Sequence, residues 1–358
     1  MSRRDSWSGR QVRRLFTAPA VIAVTVLIGV TFPLWLVAAA ALSPILPGYW
    51  RPLRIAWLAI LYLLCESVML VILFGLWISS GFGRRVRTPY FEGIHYDLVQ
   101  GLLWVFFREA RRVLNLTIET AGPTPDAYPG KPLLVCCRHA GPGDSFTLVY
   151  ALMHWYDREP RVVLKDTLAW DPAIDVLLHR IPARFISPNP KEGAGVEDQI
   201  AELAAGLDEN DTFVIFPEGG NFTARRRERG IERLRKHGME DMAARAERMR
   251  NVVAPRPGGF LAALDAAPDA DVVLVAHTGL DHMMTVADVW RELPMDKRLV
   301  MRWWRIAREQ IPDGRDERID WLFDQWRQID EWIEEHRPVD LPRGRRPGAG
   351  STPDPEAA

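Results

Sequence analysis

The sequence predicts an α/β protein with a mainly parallel central sheet flanked by helices, preceded by an apolar helical hairpin. Three observations predict it. Short, near-continuous apolar runs alternate with helix-period segments after residue 120, the pattern of strands buried on both faces and joined by crossover helices. Two long stretches almost free of charge fill the first ninety residues. The composition, 48% hydrophobic and 25% charged, is that of a globular domain and excludes a disordered, collagen-like or low-complexity chain. A length of 358 residues fits one α/β domain with extensions. The expected division is a basic leader and hairpin over 1–90, a folded domain over 91–337 and a Pro/Gly-rich, disordered tail over 338–358.

The hairpin comes first. No charge interrupts Leu15 to Trp50, and Glu66 is the one charge between Ile55 and Gly83. Each stretch exceeds the roughly 20 apolar residues that cross a hydrocarbon core. The first is too long for the core of a cleaved signal peptide. Between them Ser43-Pro-Ile-Leu-Pro-Gly-Tyr-Trp-Arg-Pro52 reads as a turn, with Tyr49 and Trp50 suited to a membrane interface. Ten arginines against Asp5 and Glu66 make residues 1–90 strongly basic, whereas the remainder is acidic. Such a leader points to a membrane surface, and the flanking arginines put both chain ends on the cytoplasmic face of the cell membrane. Transmembrane and membrane-dipping arrangements both remain open; the second lowers the cost of burying Glu66. The body carries no basic stripe interleaved with aromatics, so no nucleic-acid partner is expected.

In the body, residues 91–116 have helical spacing with a basic side, which fits a helix lying on a membrane or packed on the domain. Strands are expected at 132–137, 161–164, 183–186, 212–216 and 271–276, with helices at 145–156, 172–179, 196–207, 225–248 and 258–267. Asp171-Pro172 reads as an N-cap followed by Pro at the first helical position. Trp321, Leu322, Trp326, Ile329 and Trp332 mark a last amphipathic helix over 316–335. The three cysteines, Cys65, Cys136 and Cys137, are too few for a disulfide framework.

Two segments carry candidate chemistry. Cys137-Arg-His-Ala-Gly-Pro-Gly-Asp-Ser145 runs from a strand end through a glycine turn into a helix. The turn lets His139 and Asp144 meet at the carboxyl end of a strand, where open α/β sheets bind ligands. A carboxylate on one imidazole nitrogen fixes the tautomer and makes the other nitrogen a base, half of a hydrolase triad without its serine. Thr212-Phe-Val-Ile-Phe-Pro-Glu-Gly-Gly-Asn-Phe-Thr223 ends a second strand and sets Glu218 on the same rim. His277 and His282 lie in another block from His139, so no metal site is expected.

Together these segments resemble the glycerolipid acyltransferases, the family of 1-acylglycerol-3-phosphate and lysophospholipid acyltransferases, whose first block is His-x4-Asp and third Phe-Pro-Glu-Gly-Thr-Arg. The likeness continues in order through Val162-Val-Leu-Lys165, Ala183-Arg-Phe-Ile186, Val253-Ala-Pro-Arg-Pro-Gly-Gly-Phe260 and Val272-Val-Leu-Val-Ala276, over about residues 90–300. The resemblance implies a glycerol-3-phosphate acyltransferase-like fold, with 91–337 as the acyltransferase domain. It implies membrane lipids as partners and acyl-CoA or acyl carrier protein as co-substrate, without a cofactor or metal. It also implies transfer of the acyl group to a lysolipid hydroxyl, giving phosphatidic acid where the acceptor is 1-acyl-sn-glycerol-3-phosphate. His139 would be the general base, Asp144 its orienter, and Glu218, Gly219 and Gly220 acceptor-binding. The sequence departs from the family at Gly220 and Asn221, where Thr and Arg are usual, at Pro188 in place of the block-two arginine, and at Ala276 in place of a proline. Those arginines hold the acceptor's phosphate in the family. Either Lys165, Arg184 or Arg225 replaces them here or the acceptor headgroup differs. A membrane-anchored lipid esterase using the same pair, and a non-catalytic scaffold, are the alternatives.

Overall fold

The computed structural model describes residues 7–46, 50–122, 130–141, 143–186, 195–281, 286–293 and 297–337; the expected tail beyond 338 lies outside them. Two long apolar helices, α1 (Trp7–Leu42) and α2 (Arg51–Ser79), are followed by α3 (Pro89–Leu114). The chain then enters β1 (Leu116–Ala121), β2 (Leu133–Cys137), α4 (Asp144–Trp155) and β3 (Glu159–Lys165). A 3-10 turn over Asp166–Trp170 leads to α5 (Pro172–Leu178), β4 (Ala183–Ile186), α6 (Val196–Ala204) and β5 (Asp211–Ile215). Next come α7 (Ala224–Lys236), α8 (Glu240–Arg248), α9 (Pro257–Ala266) and β6 (Asp271–Thr278). The order closes with α10 (Val286–Glu292), β7 (Lys297–Ile306) and α11 (Arg315–His336).

The strands form one seven-stranded sheet in the order β1-β7-β6-β2-β5-β3-β4. Five strands from β6 to β4 are parallel; β7 runs antiparallel to β6, and β1 follows β7. β2, β5 and β6 are buried along their whole length, which is why they read as unbroken apolar runs. One face, with Leu134, Phe213 and Leu274, packs under α6, α8, α9 and α11; the other, with Val135, Val214 and Val273, packs under α3 and α4.

All five expected strands are present, and two more extend the sheet. β7 alternates Leu299, Met301 and Trp303 on one face with Val300, Trp304 and Ile306 on the other. Its interleaved arginines (Arg298, Arg302, Arg305) break the apolar run. β1 is an edge strand, half solvated and short. The single helix expected over 225–248 is two, separated at Gly238, whose φ of +72° is the left-handed stop of a helix C-terminus. Asp171 does cap α5, accepting from Ile174 N at 2.9 Å with Pro172 behind it.

The hairpin lies against the α/β domain. α1 and α2 are tied by Thr25 Oγ1, which donates to Leu63 O at 3.2 Å and accepts from Ser67 Oγ at 2.8 Å. Near the start of α2, Arg51 donates to Leu293 O at 2.6 Å, and Arg54 donates to Val113 O. At its middle Glu66 accepts from Ala173 N at 2.9 Å while Tyr62 donates to Asp171. Towards its end Arg180 donates to Leu73 O at 2.7 Å. Arg13 and Arg14 on α1 pair with Asp175 at 3.0 and 2.7 Å. α2 has 29 residues, about 43 Å at 1.5 Å per residue, and one side of the same domain grips it from end to end. α3 is packed between hairpin and sheet through Tyr96 and Phe107, with Trp104 outward.

Candidate functional site

Strand register assembles the site. β2 sets Cys136 opposite Ile215 of β5 and Cys137 opposite Val275 of β6. Carried past the last rung, the same parallel registers put His139 level with Glu218 on one side and His277 on the other. Three side chains far apart in sequence thus share one level at the carboxyl rim, with neighbouring strands about 4.8 Å apart.

Beyond β2 the chain turns at Gly141 and enters α4 at its first residue, Asp144. The carboxylate reaches back: Asp144 Oδ2 accepts from Gly141 N at 2.5 Å and lies 3.4 Å from His139 Nδ1. A proton on Nδ1 satisfies that contact and leaves the lone pair on Nε2, for which the described residues offer no partner. The His139 side chain is 13% exposed against 6% for Asp144, so the base reaches the surface while its acid does not. The imidazole lies 4.6 Å from the Phe216 ring, and Phe222 N donates to His139 O at 2.6 Å.

Glu218 does not face outward. It is buried, and its two oxygens accept from His139 N and from Val253 N, each at 3.4 Å. Burial pushes its carboxyl up to about 8 despite nearby Arg138 and those N–H groups. In this geometry Glu218 bridges the two rim loops.

A second buried shell was not expected. His277 Nε2 lies 3.5 Å from Asp144 Oδ2 and 3.4 Å from Arg138 O. Arg138 donates to His277 O at 2.8 Å and pairs with Asp281 Oδ1 at 2.8 Å. Burial by itself would raise Asp144, but His277, the His139 bond and Gly141 N–H together hold it below the usual carboxylate range. Burial lowers His277 against the opposing pull of Asp144. Sequence spacing set His277 apart because it sits in another block; only the β2–β6 pairing brings it to Asp144.

The candidate cations are spread out. Lys165 is exposed at the end of β3 and Arg225 is exposed in the first turn of α7. Arg184 is engaged with Glu202 at 2.7 Å. Two other guanidinium groups, which sequence reasoning did not single out, overlie the glycines after Glu218. A Cβ on Gly219 (φ +69°) would come within 3.2 Å of Arg256, and one on Gly220 (φ +153°) within 1.7 Å of Arg226. Burial and the like charges of Arg233 and Arg226 lower Arg256. Neither Arg226 nor Arg256 has an acidic partner among the described residues. Arg256 stands in the Pro-Arg-x-x-Gly-Phe stretch and Arg226 next to Arg225, so each had a faint sequence signal. Pro188 and His282 lie outside the described residues.

Residues 116–274 match the family described as Acyltransferase, a segment that holds His139, Asp144 and Glu218. The matched stretch makes up less than half of the chain. Among solved structures it is similar to the 1-acyl-sn-glycerophosphate (LPA) acyltransferase PlsC from Thermotoga maritima. That likeness has 12% identity and a TM-score of 0.44, and it covers 76% of this chain and 97% of that one. No curated protein sequence matches the chain.

Proposed function

We propose that the protein is a membrane-associated O-acyltransferase. It moves a fatty acyl group from an acyl thioester, carried by CoA or acyl carrier protein, to the hydroxyl of a lysolipid with a phosphate headgroup. The acceptor that fits best is 1-acyl-sn-glycerol-3-phosphate, giving phosphatidic acid. The observation that carries this reading is His139 in a segment similar to the Acyltransferase family, with Nδ1 facing a buried carboxylate and Nε2 open at the rim.

His139 Nε2 takes the proton of the acceptor hydroxyl as its oxygen attacks the thioester carbonyl. Asp144 holds the ring and stabilises the imidazolium that forms. The tetrahedral oxyanion faces the first free N–H groups of α4. Its collapse reforms the carbonyl and breaks the C–S bond, and the imidazolium returns its proton to the departing thiolate. No covalent acyl-enzyme is needed. Arg226 and Arg256, beside Gly219 and Gly220 and without an acidic partner among the described residues, take the acceptor's phosphate in place of the missing motif arginines, since guanidinium groups bind phosphate through paired N–H donors. Lys165 and Arg225 add positive charge farther along the rim.

The hairpin delivers both lipids. Leu15, Phe16, Leu27, Val30, Leu34 and Val37 are exposed on α1, and exposed Phe82 and Tyr90 flank Arg84 and Arg85, a composition suited to an anionic leaflet. Because α2 is held along the domain at both ends, a hairpin dipping into the cytoplasmic leaflet of the cell membrane fits better than one that crosses it.

Full-length protein incubated with labelled acyl-CoA or acyl-ACP and a panel of lysolipids tests the reading. Labelled phosphatidic acid is the expected product, and His139→Ala should lower turnover by at least about 10³-fold with unchanged melting. Free fatty acid without ester transfer would identify an esterase. An active His139→Ala would end the general-base role.

A further inference from the structure

His277 and Arg138 take no part in the transfer chemistry above, yet both are buried against it. Asp144 Oδ2 accepts from Gly141 N at 2.5 Å, meets His139 Nδ1 at 3.4 Å and has His277 Nε2 facing it at 3.5 Å. The other neighbour of His277 Nε2 is the Arg138 carbonyl at 3.4 Å. A carboxylate and a carbonyl can only accept, so the proton of this buried ring resides on Nε2. The backbone that carries the ring is fixed: Arg138 donates to His277 O, and its partner Asp281 accepts from Thr278 Oγ1 at 2.7 Å and Gly279 N at 2.9 Å.

We propose that His277 is a positioning residue of the His139–Asp144 pair, whose buried Nε2–H faces Asp144 Oδ2 and limits how tightly the carboxylate grips the base. This rests on the transfer reading above for its turnover assay. A carboxylate bonded to His139 alone would favour the imidazolium, so a larger share of the base would already hold a proton near neutral pH. A further N–H facing the same oxygen offsets part of its negative charge. The charged and titratable groups in contact are few. Asp144 faces His139 and His277, with the Cys137 thiol near; His277 faces Asp144, Arg138 and Asp281; Glu218 lies between Arg138 and His139 N.

The test is the acid limb of the kcat/KM pH profile in full-length protein. The amide nitrogen of His277→Gln reaches the Nε2 position, whereas that of His277→Asn stops near Nδ1 and His277→Leu has none. His277→Asn and His277→Leu should move the acid limb upward by about one pH unit, about tenfold in rate below the limb, with recovery above it. His277→Gln should stay near wild type. If His277→Leu does not fold, the Asn and Gln variants still decide. A limb that stays in place while activity falls evenly at every pH, or a His277→Gln limb displaced as far as that of His277→Asn, would overturn the proposal. If wild-type protein transfers no acyl group, the functional reading fails by itself. NMR titration of the His139 ring in the same variants then reads the coupling without turnover.

Discussion

At the scale of single residues, the rim is built from polar groups removed from water. Glu218 keeps its proton because burial outweighs Arg138 and two backbone N–H donors. Its folded value of about 8 lies above the ordinary 4.5. Between those limits the folded protein holds a proton that the unfolded chain releases. Stability should therefore fall as pH rises from about 4.5 to 8 and level off above. Thermal melts across that range should show the slope, and Glu218→Gln, which imitates the neutral acid, should flatten it. The two candidate carboxylates thus part company: Asp144 is kept ionised by His277, His139 and Gly141 N–H, and Glu218 is kept neutral. The same difference separates a partner for an imidazolium from a brace.

At the scale of elements, the glycine pair after β5 lets two arginines approach the backbone. Gly220 has a φ of +153° and shares its space with the Arg226 guanidinium. Gly220→Ala should cost about 1–3 kcal/mol through backbone strain and displace Arg226. Steady-state kinetics should register the displacement as a higher KM for a phosphate-bearing acceptor, larger than the loss in kcat; an unchanged KM would remove Arg226 from the acceptor site. Elements also mark where periodicity was readable. Strands buried on both faces announced themselves as apolar runs, whereas β7, with Arg298, Arg302 and Arg305 between its core residues, and the half-solvated edge strand β1 did not. Those arginines have snorkelling stems and structural partners: Arg302 donates to Ala121 O at 3.0 Å and Arg305 to Asp271 at 2.8 Å.

At the scale of the whole molecule, the hairpin and the α/β domain share a core. Leu73 of α2 packs with Tyr96, Leu177 and Ile181, so deleting residues before Arg87 would strip the domain's own packing as well as its membrane contact. A cleaner separation comes from the outward face of α1. Val30 and Leu34 are 77% and 72% exposed, and the double change to Asp should leave melting within about 0.5 kcal/mol of wild type. Flotation with anionic vesicles should be lost, and activity on bilayer acceptors should fall much more than on a short-chain soluble acceptor. Equal loss on both would deny the hairpin a delivery role.

Sequence by itself determined the apolar hairpin, the alternation of buried strands with helices and the local loop that joins His139 to Asp144. Each of these is written in neighbouring residues, through apolar run length, periodicity and a glycine turn. Which residues from other blocks stand beside that pair was a matter for the tertiary structure. Glu218 and His277 meet His139 through strand register, and Arg226 and Arg256 reach the glycine loop through the path of α7 and the strand-like segment before α9. Register is set by the packing of the whole sheet, because a slip of one residue turns every side chain to the opposite face, and no local spacing records it.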